Sequence, residues 1–364
     1  MKNTLVLYRS NITKPLGTIE SSNIPNVRNE DDYDSFEYIA TYYGFKTVYS
    51  DNISECDLLV YNLNRYHYYT HINFIYLLPE EVIQTIQTNN IPVVYWHSGE
   101  CHNLTYDLYY SNSVGYLNKN IWYVDSDSNP KHPYHLFFDS AELLAKITPG
   151  DYSADNATIK YDFSLFTLRS ELHKHIIYNV LDSLPNTYVH FSEPKDISYK
   201  NYDDQLGELG KSSLAKTPPR SEFVHFKTLK QVAQESNVLV ALNSYYTSNI
   251  DNDPAYSPLY ITEKVIKMLP TNKPIIPIGH KGYVAYHRKL GVEFPDWIDY
   301  SYDDIDNNEQ RLRKVISVIE HVSKMENLTE LSNEFHKTSN NKTLYEALSF
   351  KQEFINVVNT FFGE

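Results

Sequence analysis

Short, near-continuous apolar runs alternate with stretches of helical length along this chain, and the alternation runs through twice. In the first series "TLVLYRS" (4–10) reads as a strand, "DDYDSFEYIATYYGF" (31–45) as a helix with its aromatics on one stripe, and "CDLLVYNLN" (56–64) as a strand. "PEEVIQTIQTNN" (79–90) then reads as a helix, and "IPVVYWHS" (91–98) and "NIWYVD" (120–125) as strands. Apolar runs without polar alternation belong to strands buried on both faces, which requires helices above and below a parallel sheet. The first half is therefore expected to be Rossmann-like, with Phe36 and Tyr43 in its core.

Residues 128–160 are mixed and rich in turn formers, and after them the pattern restarts. The second series runs strand 161–168, helix 169–184, strand 187–191, helix 226–236 and strand 237–243. A helix and strand follow within "ITEKVIKMLPTNKPIIPIG" (261–279), then helices over 305–325 and 344–362. A length of 364 residues suits two domains. The expected class is α/β, with two Rossmann-like doubly wound domains, 1–150 and 151–364, the second carrying the C-terminal helices. Such an arrangement takes a ligand in a cleft between its halves. The segment 198–222 is longer than an ordinary loop of about 12–15 residues, so it is expected to be either disordered or a functional lid.

Composition narrows the function classes. Lys plus Arg number 32 against 46 acidic residues, a net charge of −14, which disfavours an extended grip on nucleic acid or an anionic membrane. A local basic pocket stays open, because Lys211, Lys216, Arg220, Lys227 and Lys230 gather in and after the long loop. No apolar run approaches the roughly 18–20 residues of a membrane span, and the start lacks a cleavable-leader pattern; both predict a soluble, cytoplasmic protein. The two cysteines, Cys56 and Cys101, stand far apart and are expected as reduced thiols. The glycine-rich dinucleotide fingerprint, the Walker loop and the Gly-x-Ser-x-Gly elbow are all absent, so dehydrogenase, NTPase and α/β-hydrolase readings lack their markers. The pair in "HKH" (173–175) is spaced i, i+2 on a helix and cannot share one face; it is expected at the surface and not as a metal site. The abundance of Tyr (33) and scarcity of Gly (11) beside many Asn and Ile fit an AT-rich genome, a viral one included.

The stretch 257–279 puts an acid and a base at the opening of a helix. Thr262 is placed to cap it, Glu263 and Lys264 fall in its first turn, and Pro270 with Asn272 ends it. Free N–H groups and a partial positive charge at such an end attract phosphate. Lys264 can meet a diphosphate as a point charge, and Glu263 can accept hydrogen bonds from sugar or ribose hydroxyls.

"YITEKVIKMLPTNKPIIPIG" resembles the donor-binding motif of the α-1,3-fucosyltransferase family, with Tyr260, Thr262, Glu263, Lys264, Pro274 and Gly279 matching. The resemblance extends with less force to "VLVALNSYYTSN", to "GVEFPDWIDYSYDD" and to "FTLRSELHKHIIYNVL", where Arg169 matches a family Arg that meets the diphosphate. It implies a GT-B glycosyltransferase whose C-terminal Rossmann half holds a nucleotide diphosphate sugar, with Asn243 helping to line that site. It implies glycosyl transfer more firmly than it implies fucose.

The first half carries a fainter echo in "VVYWHSGE". The family places a catalytic Glu after such a strand, and Glu100 is this chain's nearest match, although the residues after it run to Cys101 and not to Ser-Pro. Glu100, His97 and then His102 are the candidates for the base, all at or just past the end of a buried strand, where open α/β sheets place their sites. The resulting expectation is an inverting transfer from a nucleotide-sugar donor with no cofactor and no metal. The acceptor is expected to be a carbohydrate, with a modified base in viral DNA as the second choice; the oligomeric state is left open. A competing signal is Asp125 and Asp127 after a strand, the arrangement by which GT-A glycosyltransferases hold a divalent cation. The remaining alternative is a sugar- or nucleotide-binding protein of the same fold without turnover.

Overall fold

In a computed structural model of the chain, the described residues are 4–8, 36–62, 79–96, 120–125, 135–138, 142, 145–146, 157–167, 171–191, 203–212, 216–221, 226–243, 246 and 263–363. They divide into two compact units, Met1–Leu144 with Ser349–Glu364, and Ala145–Leu348.

In the first unit, β1 (Thr4–Tyr8) pairs in parallel with β2 (Lys46–Ser50). β3 (Leu59–Asn62), β4 (Val93–Trp96), β5 (Ile121–Asp125) and β6 (His135–Phe137) form a parallel sheet in that order. A parallel bridge from Leu7 to Leu58 and a 3.2 Å bond from Tyr8 N to Leu58 O set β1 beside β3, giving β2-β1-β3-β4-β5-β6. Helix α1 (Phe36–Tyr42) connects β1 to β2, and α2 (Glu80–Asn89) connects β3 to β4. α2 starts after Pro79 and stops at Asn90, whose left-handed φ of 51° and N–H to Ile86 O close the last turn.

The second unit repeats the plan. Its four parallel strands are β7 (Tyr161–Thr167), β8 (Thr187–Phe191), β9 (Ser236–Leu242) and β10 (Ile275–Ile278), ordered β10-β9-β7-β8. Both units thus follow second-first-third-fourth, the doubly wound order, and the two Rossmann-like halves expected from the alternation are present. Every residue of β9 is buried, as a continuous apolar run in a central strand requires. Its helices are α3 (Leu172–Asp182), α4 (Asp203–Lys211), α5 (Phe226–Gln234), α6 (Lys264–Met268), α7 (Tyr283–Lys289), α8 (Asn308–Val322), α9 (Leu328–Thr338) and α10 (Asn341–Ala347). β10 lies at an edge, which tolerates Pro277 because no outer partner needs its missing N–H. The carbonyls of Ile275 and Pro277 accept from the hydroxyls of Tyr300 and Tyr302, each at 2.8 Å, so "DYSY" covers that edge.

Several expectations need correcting. The run 344–362 is two helices, α10 and α11 (Lys351–Phe361), parted at 348–350. α11 belongs to the first unit and not to a domain spanning 151–364. The reason is aromatic packing: the Phe354 ring lies 5.4 to 5.9 Å from those of Phe36, Tyr43, Phe45, Trp96 and Phe138. Buried Glu142 ties the same region together by accepting from Tyr43 Oη and Phe350 N. "HKH" is not at the surface; His173, Lys174 and His175 are all buried, because α3 is covered on more than its sheet-facing side. Lys174 is paired with Glu171, and the His175 ring meets Phe191 edge-on at 5.3 Å. Within the segment 198–222, α4 packs Leu206 and Leu209 into the core, and Ser221 exchanges hydrogen bonds with Phe191 at the edge of β8. Those parts are anchored, which fits neither disorder nor a free lid. β2 and β6 carried no clear signal, since both lie at sheet edges and lack a continuous apolar run.

Candidate functional site

Strand order in the second unit reverses between β7 and β9, so the crevice at their carboxyl ends is where a doubly wound sheet receives ligands. β7 leads through residues 168–171 to α3, and β9 leads through 243–263 to α6. Asn243 stands at the carboxyl end of β9, and His173 and Lys264 stand in the first turns of the helices that follow β7 and β9.

Asn243, wholly buried, extends β9 by one residue, its N–H donating to Ile278 O at 2.8 Å. Its carbonyl lies 2.9 Å from Nε2 of His173, in the first turn of α3. A carbonyl can only accept, so Nε2 carries the proton and the ring is held in one tautomer. Burial pushes the His173 pKa well below its ordinary value, Lys174, Lys264 and His175 push it further down, and the bond to Asn243 offsets part of the effect. His173 is therefore a neutral donor at physiological pH.

Glu263 occupies the residue before α6 and is partly exposed, with its carboxylate 3.1 Å from Lys267 Nζ. Burial raises its pKa, but Lys264 and Lys267 outweigh that and hold it down at about 2. The acid is ionised across the physiological range and is braced within its own helix. Lys264 is also partly exposed, and its charge acts on both Glu263 and His173. As expected from Pro270 and Asn272, the helix closes through a turn at Leu269–Thr271 and a left-handed Asn272, φ 51°. Gly279 follows β10, and a Cβ there would stand 2.8 Å from the Tyr283 ring, so the glycine permits that close packing.

Two residues complete the site that the sequence reading passed over. The Tyr246 ring stacks on His173 at 5.1 Å with an interplanar angle of 23°, and the guanidinium of Arg311 lies 4.7 Å from its centre. Arg311, only 1% exposed, donates to the carbonyls of Tyr246, Ile305 and Asp306 and to Asn308 Oδ1. One signal could have found it: Arg311 stands on the same stripe of α8 as Val315, Val318 and Val322, where a charge is out of place.

Of the expected site residues, Asn243, Glu263 and Lys264 lie among the described ones: the Asn243 carbonyl is bonded to His173, on which Tyr246 stacks, and Glu263 and Lys264 open α6. His97, Glu100, His102, Arg169, Tyr260, Thr262 and Asp127 lie outside the described residues; Asp125 ends β5, but its side chain also lies outside them. Among the described residues no group of acidic, His or Cys side chains is arranged to hold a metal ion, and no helix is long and apolar enough to cross a membrane. Chemically, the described residues offer a cation at Lys264 and an ionised acceptor at Glu263, while the single N–H of the neutral His173 imidazole is taken by the Asn243 carbonyl. That set suits a ligand combining an anionic group with hydroxyls.

No family model matches the chain, and no curated protein matches it. Among solved structures, an α1,3-fucosyltransferase with GDP aligns at 11% identity and a TM-score of 0.45, covering 100% of this chain and 91% of that one. T4 phage BGT in complex with UDP and Mn2+ aligns at 9% identity and 0.43, covering 99% of each chain. Anabaena HepE in complex with UDP-glucose aligns at 10% identity and 0.39, covering 98% and 99%. All three scores lie below 0.5, so these likenesses carry no argument of their own, and the fold stands on the strand orders given above.

Proposed function

We propose that the chain is a glycosyltransferase of GT-B type that moves a sugar from a nucleotide diphosphate donor to a hydroxyl acceptor, inverting the anomeric centre without a metal. What supports this reading is the acid and base pair Glu263 and Lys264 at the start of α6, on the motif that resembles a fucosyltransferase donor site, with Asn243 at the carboxyl end of β9 beside the switch point of the same sheet. In this reading Lys264 and Arg169 hold the diphosphate, Glu263 accepts from donor hydroxyls, and Tyr260, Thr262 and Asn243 line the pocket. The acceptor oxygen attacks the anomeric carbon as the bond to the diphosphate breaks. The acceptor proton passes to Glu100, or to His97 in its place, and the cations take up the charge that develops on the leaving group. A carbohydrate acceptor fits the net charge of −14 better than DNA does; a modified base in viral DNA would instead show itself as activity that falls steeply with salt.

The test begins with thermal stabilisation by GDP, UDP, ADP and CMP sugars and their free nucleotides, with and without EDTA, since a ligand at about 100 times its Kd adds about 2.7 kcal/mol. One donor is expected to stabilise the protein, and the shift is expected to survive EDTA. Lys264→Ala should then weaken that donor about tenfold or more, as loss of a phosphate-bound cation does, with the urea midpoint unchanged. Equal affinity in the variant would remove the central claim.

A further inference from the structure

Arg311 presents a physical problem. It is buried, and among the described residues it has no carboxylate within ion-pair distance. A withdrawn charge is costly unless its donors are satisfied. Here three backbone carbonyls and Asn308 Oδ1 take up Nη1 and Nη2, the face of Tyr246 meets the guanidinium, and the buried Nε–H is left without a partner among the described residues. Two of these contacts fall on Tyr246 itself, on its ring and on its carbonyl at 2.7 Å. The same ring stacks on His173, and His173 Nε2–H is spent on the carbonyl of Asn243.

These contacts form a closed loop. Asn243 and Tyr246 follow β9 at the switch point, and each has its carbonyl held from a different helix, α3 through His173 and α8 through Arg311. The Tyr246 ring joins the two holders. Tyr246, three positions from Asn243, is thereby fixed relative to the end of β9.

We infer that Arg311, Tyr246 and His173 are positioning residues: a buried guanidinium–phenol–imidazole column that pins Asn243 and Tyr246 and so sets the shape of the donor crevice. Its bearing on the donor rests on the function proposed above, whereas the pinning itself does not. Each member is suited to its place. The Arg fork reaches carbonyls in several directions, which a lysine cannot do, and the aromatic ring transmits the fit between two planar groups.

The test uses the full chain with Tyr246→Leu, which removes the middle of the column, and Tyr246→Phe, which keeps the ring. Arg311→Lys serves as a second break that retains the charge. Backbone hydrogen exchange is followed in the peptide spanning 243–248, with β7 and β10 as internal controls. In Tyr246→Leu and Arg311→Lys, exchange in that peptide is expected to rise about tenfold or more while the controls hold, with Tyr246→Phe near wild type. Calorimetric titration with UDP and with GDP is run in parallel. Whichever binds wild type should bind the two breaking variants about tenfold more weakly, and Tyr246→Phe normally. Unchanged exchange at 243–248 in both breaking variants would overturn the column. Raised exchange with unchanged nucleotide affinity would overturn its role in the crevice. If neither nucleotide binds wild type, it is the donor reading that falls, and the exchange result still decides the pinning.

Discussion

Glu263 shows how a side chain partly withdrawn from water keeps its charge. Burial alone would raise its pKa, yet Lys264 and Lys267 hold it at about 2 against an ordinary 4.5. Because the folded-state value is depressed, the carboxylate stabilises the fold fully above the unfolded pKa, and this contribution is lost as pH falls from about 4.5 to about 2. Comparing urea unfolding of wild type and Glu263→Gln across that window should show wild type the more stable at pH 6, with the gap closing toward pH 2. A gap independent of pH would mean the pairing does not exist in solution. Glu263 and Lys264 were legible in the sequence because they sit on one local pattern that joins a helix start to an apolar strand, and Asn243 because it ends the apolar run of β9. His173 and Arg311 were not, because each was judged by its own helix. The spacing of "HKH" says where the side chains point along α3, but whether water lies there depends on the strands and helices around it. Arg311 stands on an apolar stripe, and its partners at Tyr246 and Ile305 come from elsewhere in the chain.

At the level of elements, the central strands and most of the longer helices were readable from period alone, whereas the helix Leu328–Thr338, the edges and the short connections were not. Among the described residues β2 pairs only with β1, and it shows no apolar run, since an edge strand can leave much of its length in contact with water. α4 was hidden inside a polar segment. Its kink explains why: Gly207 adopts φ 51° and ψ −135°, and a Cβ there would run into the carboxylate of Glu309. That carboxylate is in turn held by Leu209 N at 3.3 Å and by Arg313. Gly207→Ala is expected to cost about 1–3 kcal/mol, the range for a residue forced into a sparsely populated backbone region. Chemical denaturation of the second unit measures it. A cost near zero would show that α4 is not seated on α8 in solution.

For the whole molecule, the decisive finding is that α11 completes the first unit although it follows the second in sequence. Phe354 is fully buried among aromatic rings, so Phe354→Ala should cost about 3–5 kcal/mol. The loss should fall on the first unit: hydrogen exchange is expected to rise in β4 and α1 and to stay unchanged in β7 and β9. Exchange rising in β9 instead would place the helix with the second unit after all. By itself, the sequence determined two doubly wound parallel sheets, because unbroken apolar runs separated by helical lengths have few other ways to bury their strands. It also determined the acid and base at the start of α6, because a motif is a local arrangement. Only the tertiary structure decided which core receives the last helix, since an apolar stripe fits any core of matching shape. It alone also stacked His173, Tyr246 and Arg311 into one column, since contacts between residues so far apart in the chain exist only once the sheet order has been chosen.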